Sequence, residues 1–344
     1  MGRSVRQFIN QIIRGDAYEV LKQFPNDSID CVVTSPPYWA LRDYGVDGQM
    51  GLEPTLQEYL AKLCSIFDEI KRVLKASGTC WVNIGDTYYS NHGAVNSSLY
   101  RSEVVTQARS IKRNLSNREL PSKSLCQIPS RFAIKMAECG WILRNEIIWF
   151  KKNCMPASVR DRFTVDFEKV FFFVKSKKYW FDLDAVREPH SEADMAETIK
   201  RARQLGYSGK GSYKDWYFHE RKKASWAGEN KDAKIGLGVA ARGMPKTKLL
   251  HPLGRAKRCV WAVGTVPFHE NHFATYPPKL IETPIQAGCP KGGIVLDPFM
   301  GSGTTGLVAR NLGRNYIGIE LNPAYIKMAQ SRLAEQPLPL AFIE

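Results

Sequence analysis

The alternation of apolar and polar positions sets the first expectations. "FINQIIRGD" reads as a strand ending at Asp16, "AYEVLKQF" as a short helix and "SIDCVVTS" as a second strand. "YLAKLCSIFDEIKRVLK" places Tyr59, Leu63, Ile66, Phe67, Ile70, Val73 and Leu74 on one helical face, a stripe that predicts burial against a sheet. A strand over "GTCWVNIGD" follows, then a polar stretch from Tyr88 to Lys123 that reads as mobile. "SRFAIKMAECG" is a helix with Gly140 as its C-terminal stop. "LRNEIIWF" and "EKVFFFVKS" read as an antiparallel pair of strands.

From Arg187 to Arg258 the periodicity dissolves into basic, glycine-containing sequence that carries Tyr207, Tyr213, Trp216, Tyr217, Phe218 and Trp226. Regular structure resumes at "RCVWAVG". "GGIVLDPF" then reads as a strand, "TTGLVARNLG" as a helix, "NYIGIEL" as a strand and "PAYIKMAQSRLAEQ" as a helix. Strands alternating with helices at both ends of the chain predict an α/β fold with a mainly parallel sheet. The chain thus divides into residues 1–186, an insert over 187–258, and residues 259–344.

Charge sharpens this division. The 344 residues carry 49 Lys and Arg against 34 Asp and Glu, a net +15, and such an excess predicts a polyanionic partner, nucleic acid first. The insert alone holds 17 basic and 8 acidic residues, a net +9. The eight cysteines form no C-x-x-C pair and have no histidine at metal spacing, so they read as reduced thiols with no metal site. Cys31 and Cys289 read as packing residues. No stretch reaches the roughly 18 uninterrupted apolar residues of a membrane span, and the expectation is a soluble cytoplasmic protein.

Chemistry enters with Gly301-Ser302-Gly303-Thr304-Thr305-Gly306, a G-x-G-x-x-G run between a strand and a helix, with Glu320 ending the next strand. Glycines let backbone approach a ligand closely, and a carboxylate at the second strand tip accepts two ribose hydroxyls. Spacing alone fits a dinucleotide site. The chain runs out after one more helix, however, so the remaining strands must come from its N-terminal part. That is a circularly permuted sheet, with the strand ending at Asp16 beside the one ending at Glu320 and the strand ending at "TSPPY" next. Asp297, the glycine loop, Glu320, Asp16 and Ser35 through Tyr38 would then line one crevice at the carboxyl ends of the strands.

"TSPPYW", a basic variable segment, "HFATYPPKL" and "DPFMGSGTTG", in this order, resemble the beta group of DNA amino-methyltransferases over nearly the whole chain outside residues 88–123 and 187–258. The resemblance implies a circularly permuted Rossmann-like methyltransferase sheet with an inserted target-recognition region. It implies S-adenosyl-L-methionine (AdoMet) as methyl donor and double-stranded DNA as substrate. The polar stretch from Tyr88 to Lys123 is expected to be mobile without DNA. In the family, Asp297 would face the methionine amino group, and Phe299, Gly301, Ser302, Gly303 and Thr304 would shape the pocket. Glu320 would take the ribose, Asp16 the adenine amino group, and Phe273, within His272 to Thr275, the methionine side.

The same resemblance assigns the catalytic stretch to Ser35, Pro36, Pro37 and Tyr38. The exocyclic amine is a poor nucleophile because its lone pair is delocalised into the ring. Ser35 Oγ and the Pro36 carbonyl would accept its two hydrogens, and the prolines fix φ while offering no competing N–H. Tyr38 would stack on the flipped base. Trp149, Lys151, Pro156 and Arg162 also match the family, with the basic residues set to touch phosphate. Serine ahead of the prolines usually accompanies cytosine N4, with adenine N6 as the close alternative and structured RNA a weaker substrate. C5 chemistry needs a cysteine nucleophile after proline, and the chain has no Pro-Cys dipeptide. From other classes, an NAD-dependent oxidoreductase leaves "TSPPYW" unexplained, and a catalytically silent DNA binder has no use for the glycine loop. A restriction endonuclease sharing the site, and a monomer or a homodimer, stay open.

Overall fold

The computed structural model describes residues 5–41, 43–89, 120–154, 156–209, 211–226, 250–265 and 276–335. Two compact units emerge: Met1–Phe181 together with Cys259–Glu344, and Asp182–Arg258.

In the first unit the described residues form strands β1 (Gln11–Arg14), β2 (Ile29–Thr34), β3 (Leu74–Ile84), β4 (Ile142–Phe150), β5 (Phe167–Val174), β6 (Val260–Ala262), β7 (Ile294–Asp297) and β8 (Asn315–Glu320). They join in one sheet of order β1-β8-β7-β2-β3-β5-β4-β6. Neighbours are parallel except where β5 runs against β3 and β4. Helices α1 (Ala17–Leu21), α2 (Leu56–Val73), α3 (Ile128–Glu138), α6 (Pro278–Gly288), α7 (Thr304–Asn311) and α8 (Pro323–Glu335) connect the strands, and α4 (Glu192–Gln204) and α5 (Tyr213–Trp226) belong to the second unit.

The permuted sheet stands, with one correction to its order. β1 lies beside β8 as expected, but β2 does not lie beside β1, because β8 and β7 come between them. Burial explains the placement. Cys31, Val32 and Val33 of β2 are buried on both faces of the sheet, as suits a strand in its middle, whereas β1 exposes Gln11 and Arg14 and suits an edge. Two boundaries also shift. Val5–Phe8 is a 3-10 turn, and Asp16 caps α1, accepting from the Tyr18 and Glu19 amides. Leu74 opens β3 and ends the apolar face of α2 one residue early.

Alternation along the strands divides the core between two faces. Val32, Cys80, Val82, Leu296, Ile317 and Ile319 join the cluster formed by α1, α2 and α3. Helix α2 starts at a capping box between Thr55 and Glu58 and buries Leu56, Tyr59, Leu60, Leu63, Ile66, Phe67, Ile70 and Val73. On the opposite face α6 comes so close to β3 that a Cβ on Gly288 would collide with Thr79 Oγ1. Residues 90–119 of the segment expected to be mobile lie outside the described residues. Its ends are tied, the Tyr89 amide donating to Ser124 O and the Lys123 amide to Tyr89 O, both at 2.8 Å.

The second unit is more regular than its sequence predicted. Ser191 caps α4, and Ala202 packs with Tyr207, Tyr213 and Tyr217 in a small core. The Tyr213 hydroxyl donates to Leu250 O at 2.9 Å. Lys200, Arg201 and Arg203 stand on the exposed side of α4. Aromatic residues scattered through a basic sequence left no clear 3.6-residue stripe, yet they supply the apolar area that a small core needs.

β2 and β7 are also joined at their tips. Thr34, buried at the end of β2, donates to Asp297 Oδ1 of β7 at 2.6 Å. Burial holds the Asp297 carboxyl above the usual carboxylate range, opposed by the hydrogen bonds it accepts. The isosteric Thr34→Val removes one donor to a buried carboxylate, and the expected loss is about 1.5–3 kcal/mol at a pH above the raised Asp297 pKa. That loss exists only where Asp297 is ionised. It should shrink as pH falls through the raised Asp297 pKa, which urea unfolding of both proteins across the acidic range will show.

Candidate active site

Parallel strands present their carboxyl ends on one rim, and a crevice opens where the chain leaves neighbouring strands in opposite directions. Here that place is between β7 and β2. The cleft at this point is lined by Asp16, Ser35, Pro36, Pro37, Tyr38, Phe299, Gly301, Ser302, Thr304 and Glu320. Residues from four strand ends and one glycine loop thus meet, as the sequence led one to expect. Gly303 and Asp297 are not among the lining residues, and Phe273 falls outside the described residues.

The glycine loop is held from both sides. Gly301 and Gly303 have φ of +50° and +83°, which glycine adopts without strain, and a Cβ on Gly303 would lie 2.8 Å from that of Ala329 on α8. From the same helix Arg332 donates to Ser302 O and Oγ, both at 2.7 Å. Glu320 Oε2 accepts from the Gly301 amide and Oε1 from the Asn322 amide, each at 2.8 Å. Burial pushes the Glu320 carboxyl upward, against these two amides. At the next strand end Asp16 Oδ1 accepts from the Tyr18 and Glu19 amides at 2.9 and 3.2 Å.

Asp297 is engaged by the chain itself. Besides Thr34, its carboxylate accepts from the Phe299 amide and the Tyr276 hydroxyl, both at 3.0 Å, and from Thr305 Oγ1. The Tyr276 and Thr305 oxygens also lie against each other, but with both hydroxyl hydrogens directed at Asp297 neither donates to the other. The resemblance had Asp297 facing the cofactor. In the structure the carboxylate is 1% exposed and its four donors come from β2, the glycine loop, α7 and the segment before α6.

The Ser35 to Tyr38 stretch is fixed by a second network. Tyr59 of α2 donates to Pro37 O at 2.9 Å, while no described donor bonds the Pro36 carbonyl. The Tyr38 hydroxyl donates to Glu168 Oε2 at 2.6 Å, and its ring lies on Gly85, where a Cβ would collide with Tyr38 Cε2. Burial first, and then the Glu168 carboxylate, keep that phenol protonated. Asn83 Nδ2 donates to Glu168 Oε2 at 3.0 Å and to Lys169 O at 3.2 Å, which fixes the amide so that Oδ1 faces Ser35. The Ser35 hydroxyl donates to it over a long 3.5 Å. Lys151 closes the set, 2.6 Å from Glu168 Oε1, with its ammonium 5.0 Å above the Trp149 ring.

Asn83, Gly85, Glu168, Tyr276 and Arg332 were not singled out from the sequence. Gly85 could have been found from its place at a strand's carboxyl end and Tyr276 from its place inside "HFATYPPKL"; nothing in the local sequence marks the others. Of the matched basic residues, Lys151 is paired with Glu168, and Arg162 lies 3.9 Å above the Tyr88 ring. The described residues contain no cluster of three or more His, Cys, Asp or Glu able to hold a metal, and no helix long and apolar enough to cross a membrane.

A family model described as DNA methylase matches residues 29–331. The Type II methyltransferase M.XycI of Xanthomonas campestris pv. cyanopsidis is 39% identical over 327 residues, 94% of this chain and 88% of that protein. M.Cfr9I of Citrobacter freundii is also 39% identical, over 94% of this chain and 87% of its own. Among solved structures, the cytosine-N4-specific PvuII DNA methyltransferase superposes with a TM-score of 0.56 at 19% identity, over 94% of this chain and 85% of that one. The putative DNA modification methylase TTHA0409 of Thermus thermophilus, complexed with AdoMet, superposes at 0.52 and 21% identity, over 96% and 94%. The two superpositions speak to the fold alone. The family match and the two curated relatives go further, and they set aside the dinucleotide reading of the glycine loop: the chain is a DNA methyltransferase belonging to the N6/N4 DNA methylase family.

Proposed function

We propose that this methyltransferase moves a methyl group from AdoMet to the exocyclic N4 of a cytosine flipped out of double-stranded DNA. One observation carries the reading: the cleft that holds the glycine loop and Glu320 is also lined by Ser35 and by Pro36, whose carbonyl has no donor among the described residues. A cofactor pocket and a pair of acceptors for an amino group share one space.

The residues present fit AdoMet. Each Glu320 oxygen has one backbone partner, which leaves a lone pair on each for the two ribose hydroxyls. Asp16 takes both of its amides on Oδ1, which leaves Oδ2 for an adenine amino group. Phe299, Gly301, Ser302, Gly303 and Thr304 shape the methionine end, with Phe273 assigned there by its motif, and Asp297 supports the loop from beneath. When bound, the sulfonium supplies an electrophilic methyl group. Ser35 and Pro36 act on the target: by accepting the two amino hydrogens they hold the nitrogen lone pair out of conjugation. The Ser35 proton is directed to Asn83 Oδ1, so the serine lone pairs are left for the substrate. Tyr38, held at its hydroxyl and along one edge, stacks on the base. Residues 187–258 act as the target-recognition region of a catalytic domain formed by 1–186 and 259–344, with their net +9 providing salt-sensitive affinity for phosphate.

Nucleoside mass spectrometry of DNA from a methylation-deficient host expressing the protein should show N4-methyldeoxycytidine, lost with Ser35→Ala. N6-methyldeoxyadenosine would overturn the choice of base and keep the acceptor pair, and no modified base at all would sink the proposal. In vitro, Ser35→Ala should lower kcat about 10²- to 10³-fold with AdoMet affinity unchanged. Gly85→Ala should displace the Tyr38 ring, reducing turnover while AdoMet still binds in calorimetry. Because Glu320 must be ionised to accept two hydroxyls and its pKa is raised, AdoMet affinity should start to fall at a higher pH than an ordinary glutamate would give. Affinity in Glu320→Gln should be weaker and flat across that range.

A further inference from the structure

The loop between β4 and β5, residues 151–166, ends in a feature that the site so far does not use. Phe163 is 96% exposed, which is far from ordinary for a phenylalanine in a folded chain. Val159 and Val165 beside it are 39% and 41% exposed. The residues just before Phe163 are tied back. Asp161 pairs with Lys123 at 2.7 Å, and the Arg162 guanidinium lies 3.9 Å above the Tyr88 ring. Lys123 and Tyr88 themselves belong to paired backbone, Tyr88 bridging Leu125. With its two predecessors anchored, the phenyl ring is held outward.

Charge says what it meets. Arg160 is exposed with no acidic partner among the described residues, and Lys152 is exposed on the same loop. Apolar wedges flanked by cations are the chemistry with which proteins enter a base stack, the cations taking phosphates on either side. Position agrees. β5 runs against β3, so the loop stands on the rim that carries the Ser35 to Tyr38 stretch, and Glu168 bonds Tyr38 directly. Phe163 lies five positions before Glu168, a reach of at most about 18 Å, or roughly five base steps at 3.4 Å.

We infer that Phe163 is a wedge that enters the duplex beside the target and fills the space vacated when the base is flipped. The inference rests on the flipped-base reading above. Emptying a base stack is unfavourable, and an aromatic ring that replaces lost stacking stabilises the flipped state on duplex DNA specifically. On DNA whose target base is already unpaired the ring has little to add.

The test uses the full-length protein, with Phe163→Ala and Phe163→Trp, and tritiated AdoMet. Two synthetic duplexes carry the methylated site, mapped beforehand by sequencing modified DNA; in one the target is paired and in the other it faces a mismatch. Phe163→Ala should lose about 5- to 150-fold in kcat/KM on the paired duplex and recover most of it on the mismatched one. Phe163→Trp should stay near wild type on both, and AdoMet binding should be unchanged throughout. An unchanged rate on the paired duplex overturns the wedge, as does an equal loss on both duplexes, which would mark Phe163 as a general DNA contact. A loss that tracks a change of oligomeric state in sedimentation overturns it in favour of contact between copies. Should the wild type methylate neither duplex, the functional reading fails first, and the two failures are told apart.

Discussion

The buried carboxylate of Asp297 is the constraint on which the site depends. An ionised carboxylate out of water is tolerated only where donors replace its hydration. Here Thr34, Tyr276, Thr305 and the Phe299 amide do so. Each donor belongs to a different piece of the cleft: the end of β2, the segment entering α6, the first turn of α7, and the glycine loop. Because the carboxylate cannot be left unsatisfied, these four pieces are held in one arrangement. Thr34 and Asp297 lie 263 positions apart in sequence, so this bond joins the two ends of a permuted chain.

β2 is the strand on which two networks meet. On one side its last residue, Thr34, belongs to the Asp297 network, which sets the glycine loop. On the other side the next residue, Ser35, belongs to the Asn83 and Glu168 network, which sets the Ser35 to Tyr38 stretch. Glu168 is an acceptor for three groups at once, Tyr38, Asn83 and Lys151, and the lysine balances its charge. A lysine engaged in this way is a structural cation. That is why resemblance alone, which assigned Lys151 to phosphate, did not settle its part.

What the sequence made legible follows from where information is local. Helices and strands with a regular stripe, such as α2 and β2, could be read because burial and period coincide. The glycine loop, Glu320, Asp16 and Ser35 through Tyr38 could be read because each sits at the tip of a strand, and parallel strands share a rim whatever their order. Strand order itself was misread between β1 and β2. Chain proximity suggested them as neighbours, while the deciding quantity is how many edges and faces each strand buries. In the second unit, aromatic residues that pack against one another, such as Tyr207, Tyr213 and Tyr217, carry no period to detect. Asn83 and Glu168 were missed for a further reason. Their importance lies in a hydrogen bond across β3 and β5, and a pairing between antiparallel neighbours has no signature in either strand alone.

The split of the site between two ends of the chain has a structural consequence. β2 and β7 pair through Cys31 with Val295 and Val32 with Leu296, and the ladder stops there. Beyond that point the strands must diverge, since their connections leave in opposite directions and the opening between them is the cleft. The side chains of Thr34 and Asp297 reach across at 2.6 Å, a hydrogen bond laid over the end of a short parallel ladder that ties Ser35 to the arrangement the other three donors give the glycine loop. The two halves of the site, so far apart in sequence, thus meet at a carboxylate that is 1% exposed.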